Sequence, residues 1–302
     1  MRVLVFLSLV LALAACADAP EPTPAAMSTD TLRDSIDAIV AQYDSAEVAV
    51  SLRAVVEGET LEFDRQSETV FHAASTMKVP VMIEAFRLVE TGRLGWDDPI
   101  PVENQFTSIV DGSTFAIEDD SDDALYELRG QTVSVRNLVE RAITTSSNLA
   151  TNLLIELVSA DSVQATVDGM GASGMRVLRG VEDIKAFEAG LSNQTTSEAL
   201  ATLMVALRDG QAVSAEADTA MLEILAAQKF NEMIPAGLPE GTRVAHKTGE
   251  ITRIHHDAAI IYPEGAEPYV LVVLVRGLAD TADSARLGAE ISRVVYEAVV
   301  PQ

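Results

Sequence analysis

The chain has 302 residues, 48% of them hydrophobic, and 46 acidic against 21 basic side chains give a net charge of −25. So large an acidic excess argues against nucleic acid as a partner, since phosphate contact draws on lysine and arginine, and it reads as a solvated acidic surface. The single cysteine, Cys16, excludes an intramolecular disulfide, so a buried apolar core has to hold the fold.

The start, MRVLVFLSLVLALAAC, sets one positive charge (Arg2) before an apolar run too short to span a bilayer. That is the pattern of a secretory signal peptide over residues 1–15. Its end, Leu13-Ala14-Ala15-Cys16, resembles the lipobox of bacterial lipoproteins. The resemblance implies that Cys16 is acylated, becomes the new N-terminus and anchors the protein on the periplasmic side of the envelope. Ala17, rather than aspartate, after it leans towards the outer membrane. Residues 16–30 are rich in proline and alanine and read as a tether. Residues 31–302 are then the folded unit, expected as a monomer.

Leu32, Ile36, Ile39 and Val40 fall on one helical face within 31–42. Residues 46–56 alternate, with Val48, Val50 and Leu52 on one side, and a turn at 57–59 followed by TLEF makes a β-hairpin. A mostly apolar helix runs from Ser75 to Thr91 and stops at Gly92. Pro80 inside it conflicts with that reading, because it lacks a backbone donor. Residues 110–124 (VDGSTFAIEDDSDDA) read as an acidic surface loop. Val135, Leu138, Val139, Ala142 and Ile143 form one helical stripe, and 148–158 is apolar nearly all round, as in a buried helix. Further helices are expected at about 197–208, 215–228 and 281–299, and strands at 242–248, 256–262 and 269–276. Strands from both ends with helices between them give an α+β fold: an antiparallel sheet flanked by helices plus an all-helical lobe. The α/β lobe takes about 31–74 and 235–302, and the helical lobe about 75–234.

Three short stretches occur in order: Ser75-Thr76-Met77-Lys78, Ser146-Ser147-Asn148 and Lys247-Thr248-Gly249. Chance supplies S-x-x-K roughly 0.3 times and K-[ST]-G roughly 0.03 times in such a chain, so the ordered set carries the signal. Only four residues are lysine (Lys78, Lys185, Lys229 and Lys247), and two of them stand in these stretches. Lysine can be driven towards neutrality and act as a base, whereas arginine stays charged.

Together the stretches resemble the S-x-x-K, S-D-N and K-T-G triplet of class A β-lactamases and penicillin-binding proteins. The likeness runs from about residue 31 to the end, and it implies a β-lactamase/transpeptidase-like fold with no metal or other cofactor. Ser75 is then the nucleophile that forms an acyl-enzyme. Ser and Lys at i and i+3 share a helix face, so the Lys78 amine is expected to reach the Ser75 hydroxyl, with Lys247 and burial lowering its pKa. Ser146 is placed to protonate the departing lactam nitrogen. Lys247, Thr248 and Gly249 hold the substrate carboxylate side, and Asn148 the acylamide side chain. The N–H groups of Ser75 and Glu250 make the oxyanion hole, although the Glu250 side chain could repel an anion. One departure is plain: the middle aspartate of S-D-N is Ser147 here.

The family's Arg-x-Glu-x-x-x-Asn loop, whose Glu activates the deacylating water, maps onto Arg179 to Thr195 with the Glu displaced by one and no Asn at the expected offset. Glu182 is the candidate general base, set against a structural salt bridge to Arg179, with Asp183 and Glu188 as weaker substitutes. His72, His246, His255 and His256 show no H-E-x-x-H spacing, which argues against a zinc hydrolase. His256 and Arg253 fall where a second carboxylate-binding cation could sit, though loop or strand-edge roles are favoured. The expected activity is hydrolysis of a small-molecule β-lactam. The alternatives are a D-Ala-D-Ala peptidase or esterase acting on peptidoglycan-derived substrates, and a non-enzymatic lipoprotein binding cell-wall fragments or β-lactams.

Overall fold

The computed structural model describes residues 28–300; the expected signal peptide, Cys16 and most of the expected tether lie outside them. Helix α1 (Thr29–Val40) starts two residues inside the 16–30 stretch, because the Ser28 side chain caps it by accepting the Thr31 N–H. The hairpin β1 (Glu47–Val56) and β2 (Glu59–Arg65) follows as expected, and β3 (Phe71–His72) leads into a single 3₁₀ turn, Ala74–Met77. Helix α2 spans Lys78–Glu90. Pro80 is therefore in its first turn, where backbone N–H groups have no intrahelical acceptor, and the conflict disappears.

The helical lobe follows: β4 (Pro99–Pro101), β5 (Phe106–Thr107), β6 (Thr114–Phe115), α3 (Asp123–Tyr126), β7 (Thr132–Ser134), α4 (Val135–Thr144), α5 (Asn148–Val158), α6 (Ala160–Gly169), α7 (Ile184–Glu188), β8 (Gln194–Thr195), α8 (Ser197–Arg208) and α9 (Ala215–Ala226). The short strands pair as β3 with β8, β4 with β7 and β5 with β6. The chain then returns through β9 (Arg243–Ile251), β10 (Ile254–Tyr262), β11 (Tyr269–Arg276) and α10 (Thr281–Val299).

The main sheet runs β2-β1-β11-β10-β9 with every neighbour antiparallel. β11 explains the unbroken apolar run YVLVVLV. Val270, Val272 and Leu274 join Met77, Ile83, Leu149 and Leu200 in the core beneath the helical lobe. Tyr269, Leu271, Val273 and Val275 join Leu32, Ile36, Leu287 and Ile291 under α1 and α10. Alternate residues thus face two different interiors, so neither face needs polar side chains. Each fully buried Val, Leu or Ile contributes about 1.5–3 kcal/mol relative to exposure. β9 lies at the sheet's edge, and the 3₁₀ turn packs on it, which sets the site at the seam of the two lobes.

Candidate active site

Ser75 sits half-buried in the 3₁₀ turn. Ala74 beside it takes a left-handed φ of 46°, and its N–H donates to His72 Nδ1 at 3.0 Å. Across from the turn, a Cβ on Gly249 would lie only 3.0 Å from the backbone nitrogens of Ser75 and Thr76. Glycine in the third stretch thus lets the edge strand approach the nucleophile's backbone.

Lys78 and Lys247 are both buried, at 1% and 0% exposure. Lys78 Nζ donates to Ser146 O at 2.5 Å, to Asn148 Oδ1 at 2.9 Å and to Ser146 Oγ at 3.3 Å. Lys247 Nζ donates to the same Ser146 Oγ at 3.0 Å and to Thr248 O at 2.9 Å. Burial brings Lys78 down to about 7, against the opposing pull of Asp120 and Glu182. Burial and then the charge of Lys78 hold Lys247 well below the ordinary lysine range, so the repulsion expected to act on Lys78 falls on Lys247.

The expected contact between Lys78 and Ser75 is not made. Among the described residues Ser75 Oγ makes no hydrogen bond, and the Lys78 amine is taken up by residues 146–148. The helix-face argument assumed an α-helix running from Ser75, whereas α2 begins only at Lys78.

Ser146 is left-handed, with φ of 56°, a conformation that costs about 1–3 kcal/mol and persists only when its surroundings fix it. Ser147 N–H donates to Arg141 O at 3.1 Å, and Ser147 Oγ caps α5 by accepting the Ala150 N–H at 3.2 Å. Capping and chemistry are therefore divided within one tripeptide: Ser147 caps, while Ser146 and Asn148 face the lysines. Asn148 links two charged groups, its Oδ1 accepting from Lys78 and its Nδ2 donating to Glu182 Oε1 at 2.7 Å.

Glu182 is delivered by a loop braced from both sides. Asn193 Oδ1 accepts from Leu178 N at 2.8 Å and Arg179 N at 3.2 Å, and its Nδ2 donates to Arg179 O at 2.9 Å. Asn152 Oδ1 accepts from Val181 N at 2.6 Å, and its Nδ2 donates to Val181 O at 3.0 Å. Gly180 is required there, since a Cβ would fall 2.2 Å from Asn152 Oδ1. Glu182 itself has φ of 60°. Burial raises its carboxyl above the usual range, partly offset by the Asn148 N–H. The alternative salt bridge is not formed: Arg179 donates to the carbonyls of Leu191 at 3.0 Å and Gly180 at 2.9 Å. Asp183 is occupied elsewhere, capping α7 and binding Ser108 Oγ and Ile109 N, each at 2.9 Å, and Glu188 is exposed.

At the rim, the exposed Glu250 side chain turns away towards α10, accepting from Thr281 Oγ1 at 3.0 Å. His256 is fully buried between His72 O and Val275 N, and burial pushes it down to about 4, so it supplies no cation near neutrality. Arg253 is exposed in the β9–β10 turn and bonds Gly277 O. His246 is paired with Asp257 at 2.9 Å.

The acidic 110–124 segment is more than surface. Asp120 accepts the backbone N–H groups of Asn148 and Leu149, each at 2.8 Å, and both carboxylate oxygens of buried Asp122 accept from Arg141 Nη1, at 2.7 and 2.9 Å. The one sequence signal that pointed there was the missing carboxylate at Ser147.

Lys78, Ser146, Asn148, Glu182 and Lys247 are thus joined by hydrogen bonds, and Ser75 stands on the adjoining 3₁₀ turn against Gly249: a hydroxyl without a hydrogen bond among the described residues, a buried amine near neutrality, a second hydroxyl shared by two lysines, and a carboxyl of raised basicity. The β-lactamase enzyme family matches residues 31–299, and the chain belongs to that family. It is 32% identical over 172 residues to β-lactamase AST-1 of Nocardia asteroides, a match covering 55% of this chain and 56% of that protein. The chain spans about half the length of the first curated relatives it matches. The structure of a β-lactamase from Sphaerobacter thermophilus superposes with a TM-score of 0.76 at 26% identity, covering 91% of this chain and 100% of that one. An ancestral class A β-lactamase gives 0.76 at 25%, covering 88% and 99%. The fold is that of class A β-lactamases.

Proposed function

We propose that the protein is a serine β-lactamase, and the observation that carries this reading is the chain of contacts Lys247–Ser146–Lys78–Asn148–Glu182 beside an unengaged Ser75. Ser75 Oγ attacks the lactam carbonyl while its proton passes to the free amine of Lys78. The oxyanion is met by the N–H groups of Ser75 and Glu250. The C–N bond then breaks, and the lactam nitrogen takes a proton from Ser146 Oγ, which is resupplied from the ammonium it touches. In the second half Glu182 removes a proton from water, the hydroxide adds to the ester carbonyl, the C–O bond to Ser75 breaks, and the departing Ser75 Oγ takes the proton held by Glu182. Lys247 and Thr248 receive the substrate carboxylate, whose negative charge raises the Lys247 pKa and keeps the ammonium form.

The test is hydrolysis of a chromogenic cephalosporin as a function of pH. Only the unprotonated amine can accept the Ser75 proton, so kcat/KM should rise through an acid limb near pH 7. At one pH unit below that midpoint it should stand at about a tenth of its plateau. No turnover, or a profile flat from pH 5 to 9, would overturn the reading. A D-Ala-D-Ala peptidase or esterase would instead leave a penicilloyl adduct on Ser75 for hours, and a purely reversible binder would give no adduct.

The signal-like residues 1–15 and the lipobox-like Leu13-Ala14-Ala15-Cys16 support placement on the periplasmic side, lipid-anchored, and Ala17 after the cysteine favours the outer membrane. Cys16→Ala should release the chain from the membrane fraction; continued membrane association would count against the anchor.

A further inference from the structure

Ser147 stands where the S-D-N pattern has a carboxylate, yet the space beside it is not without one. Residues 119–122 each bind the segment 141–149. Asp119 O accepts Asn148 Nδ2 at 3.4 Å, Ser121 Oγ donates to Thr145 O at 2.5 Å, and Asp122 pairs with Arg141, whose carbonyl accepts the Ser147 N–H. Asp120 lies at the centre of this strap. Its Oδ1 accepts Asn148 N and its Oδ2 accepts Leu149 N, each at 2.8 Å, with Tyr126 OH at 3.1 Å and Ser147 Oγ at 3.4 Å also on Oδ2. Two charge-assisted bonds to the first turn of an 11-residue helix also set an anion against the positive end of its dipole.

We infer that Asp120 is a positioning residue for the acylation machinery: reaching in from a separate loop, its carboxylate replaces the one missing at position 147 and holds Ser146 and Asn148 against Lys78. The arrangement relocates a charge about 27 positions along the chain while keeping it at the N-terminus of α5. Three charged groups face the Lys78 amine: Asp120 from this loop, Glu182 from the braced loop and Lys247 from β9. Asp120 and Glu182 favour the Lys78 ammonium, while the repulsion between the two lysines falls on Lys247. Neutralising Asp120 therefore has two effects of different kind. It loosens Asn148, which lowers kcat, and it makes Lys78 easier to deprotonate, which moves the acid limb to lower pH.

The rate arms of the test rest on the β-lactamase reading; the titration arm does not. Asp120→Asn keeps the size of the side chain and loses the charge. It should lower kcat for a chromogenic cephalosporin by about 10–100-fold, and the acid limb should move down. The double variant Asp120→Asn with Ser147→Asp should recover most of the rate, since aspartate also serves as an N-cap at 147. In protein labelled with [ε-¹³C]lysine the four lysine signals can be assigned by replacement, and that of Lys78 should titrate at lower pH in Asp120→Asn than in the parent. Should kcat stay within twofold, or fall with an unmoved limb and no recovery in the double variant, the inference is overturned. A parent without turnover whose Lys78 signal still moves on substitution would remove the β-lactamase reading and leave the role of Asp120 standing; an unmoved signal would remove that role whatever the activity.

Discussion

Ser75→Ala is expected to lower β-lactam turnover by roughly 10⁴–10⁶-fold, the scale on which loss of a covalent nucleophile is felt, and to leave thermal stability nearly unchanged. The two halves of this result have separate causes. Ser75 Oγ is unengaged among the described residues and the side chain is only half-buried, so its removal leaves no polar partner orphaned and no cavity in the core. Substitutions of that kind typically fall within about 0.5 kcal/mol. The chemistry, in contrast, loses the oxygen that forms the ester. Initial rates with a chromogenic cephalosporin and intact-mass spectra after penicillin exposure read both halves: no adduct and a rate near that of buffer. Turnover within tenfold of the parent would place the nucleophile elsewhere.

Glu182→Gln should divide the reaction. Glutamine preserves the acceptor for Asn148 Nδ2, which now bonds Oε1 at 2.7 Å, so the Asn148 orientation and acylation by Ser75 should survive. What is lost is the carboxylate able to take a proton from water, and a positioned base of that kind contributes about 10²–10⁴-fold. The penicilloyl-enzyme should therefore persist, detectable by mass for minutes to hours, and steady-state turnover should collapse after one equivalent. Glutamine also removes one of the two charges that favour the Lys78 ammonium, so burst-phase acylation should extend to lower pH. An adduct that clears at the parent's rate would show that another group directs the water.

Much of this molecule can be read without coordinates, for reasons that differ by region. The strand 269–276 and the helices at 197–208 and 281–299 fall within the expected limits because the strand is an unbroken apolar run and each helix keeps one period between clear ends. The three short stretches are legible because their chemistry depends on residue identity at fixed local spacing. Glu182 was ambiguous from its offset alone; its position comes from a left-handed turn and from clamps at Asn152 and Asn193, whose partners are 14–29 residues away. The acidic loop was read as surface for the same reason: Asp120 and Asp122 meet partners 19–29 residues further on, beyond any local pattern. The Ser75–Lys78 geometry depended on where a 3₁₀ turn gives way to an α-helix, a boundary that spacing cannot locate.

Because successive side chains of β11 point alternately into two interiors, the strand is a party wall shared by the core beneath the helical lobe and the core under α1 and α10. Loss of one interior would strip the other of the β11 side of its lining, so the halves should melt together rather than in sequence. The cleft at their seam has no independent existence, and catalytic competence should vanish in the same denaturant interval as the native sheet.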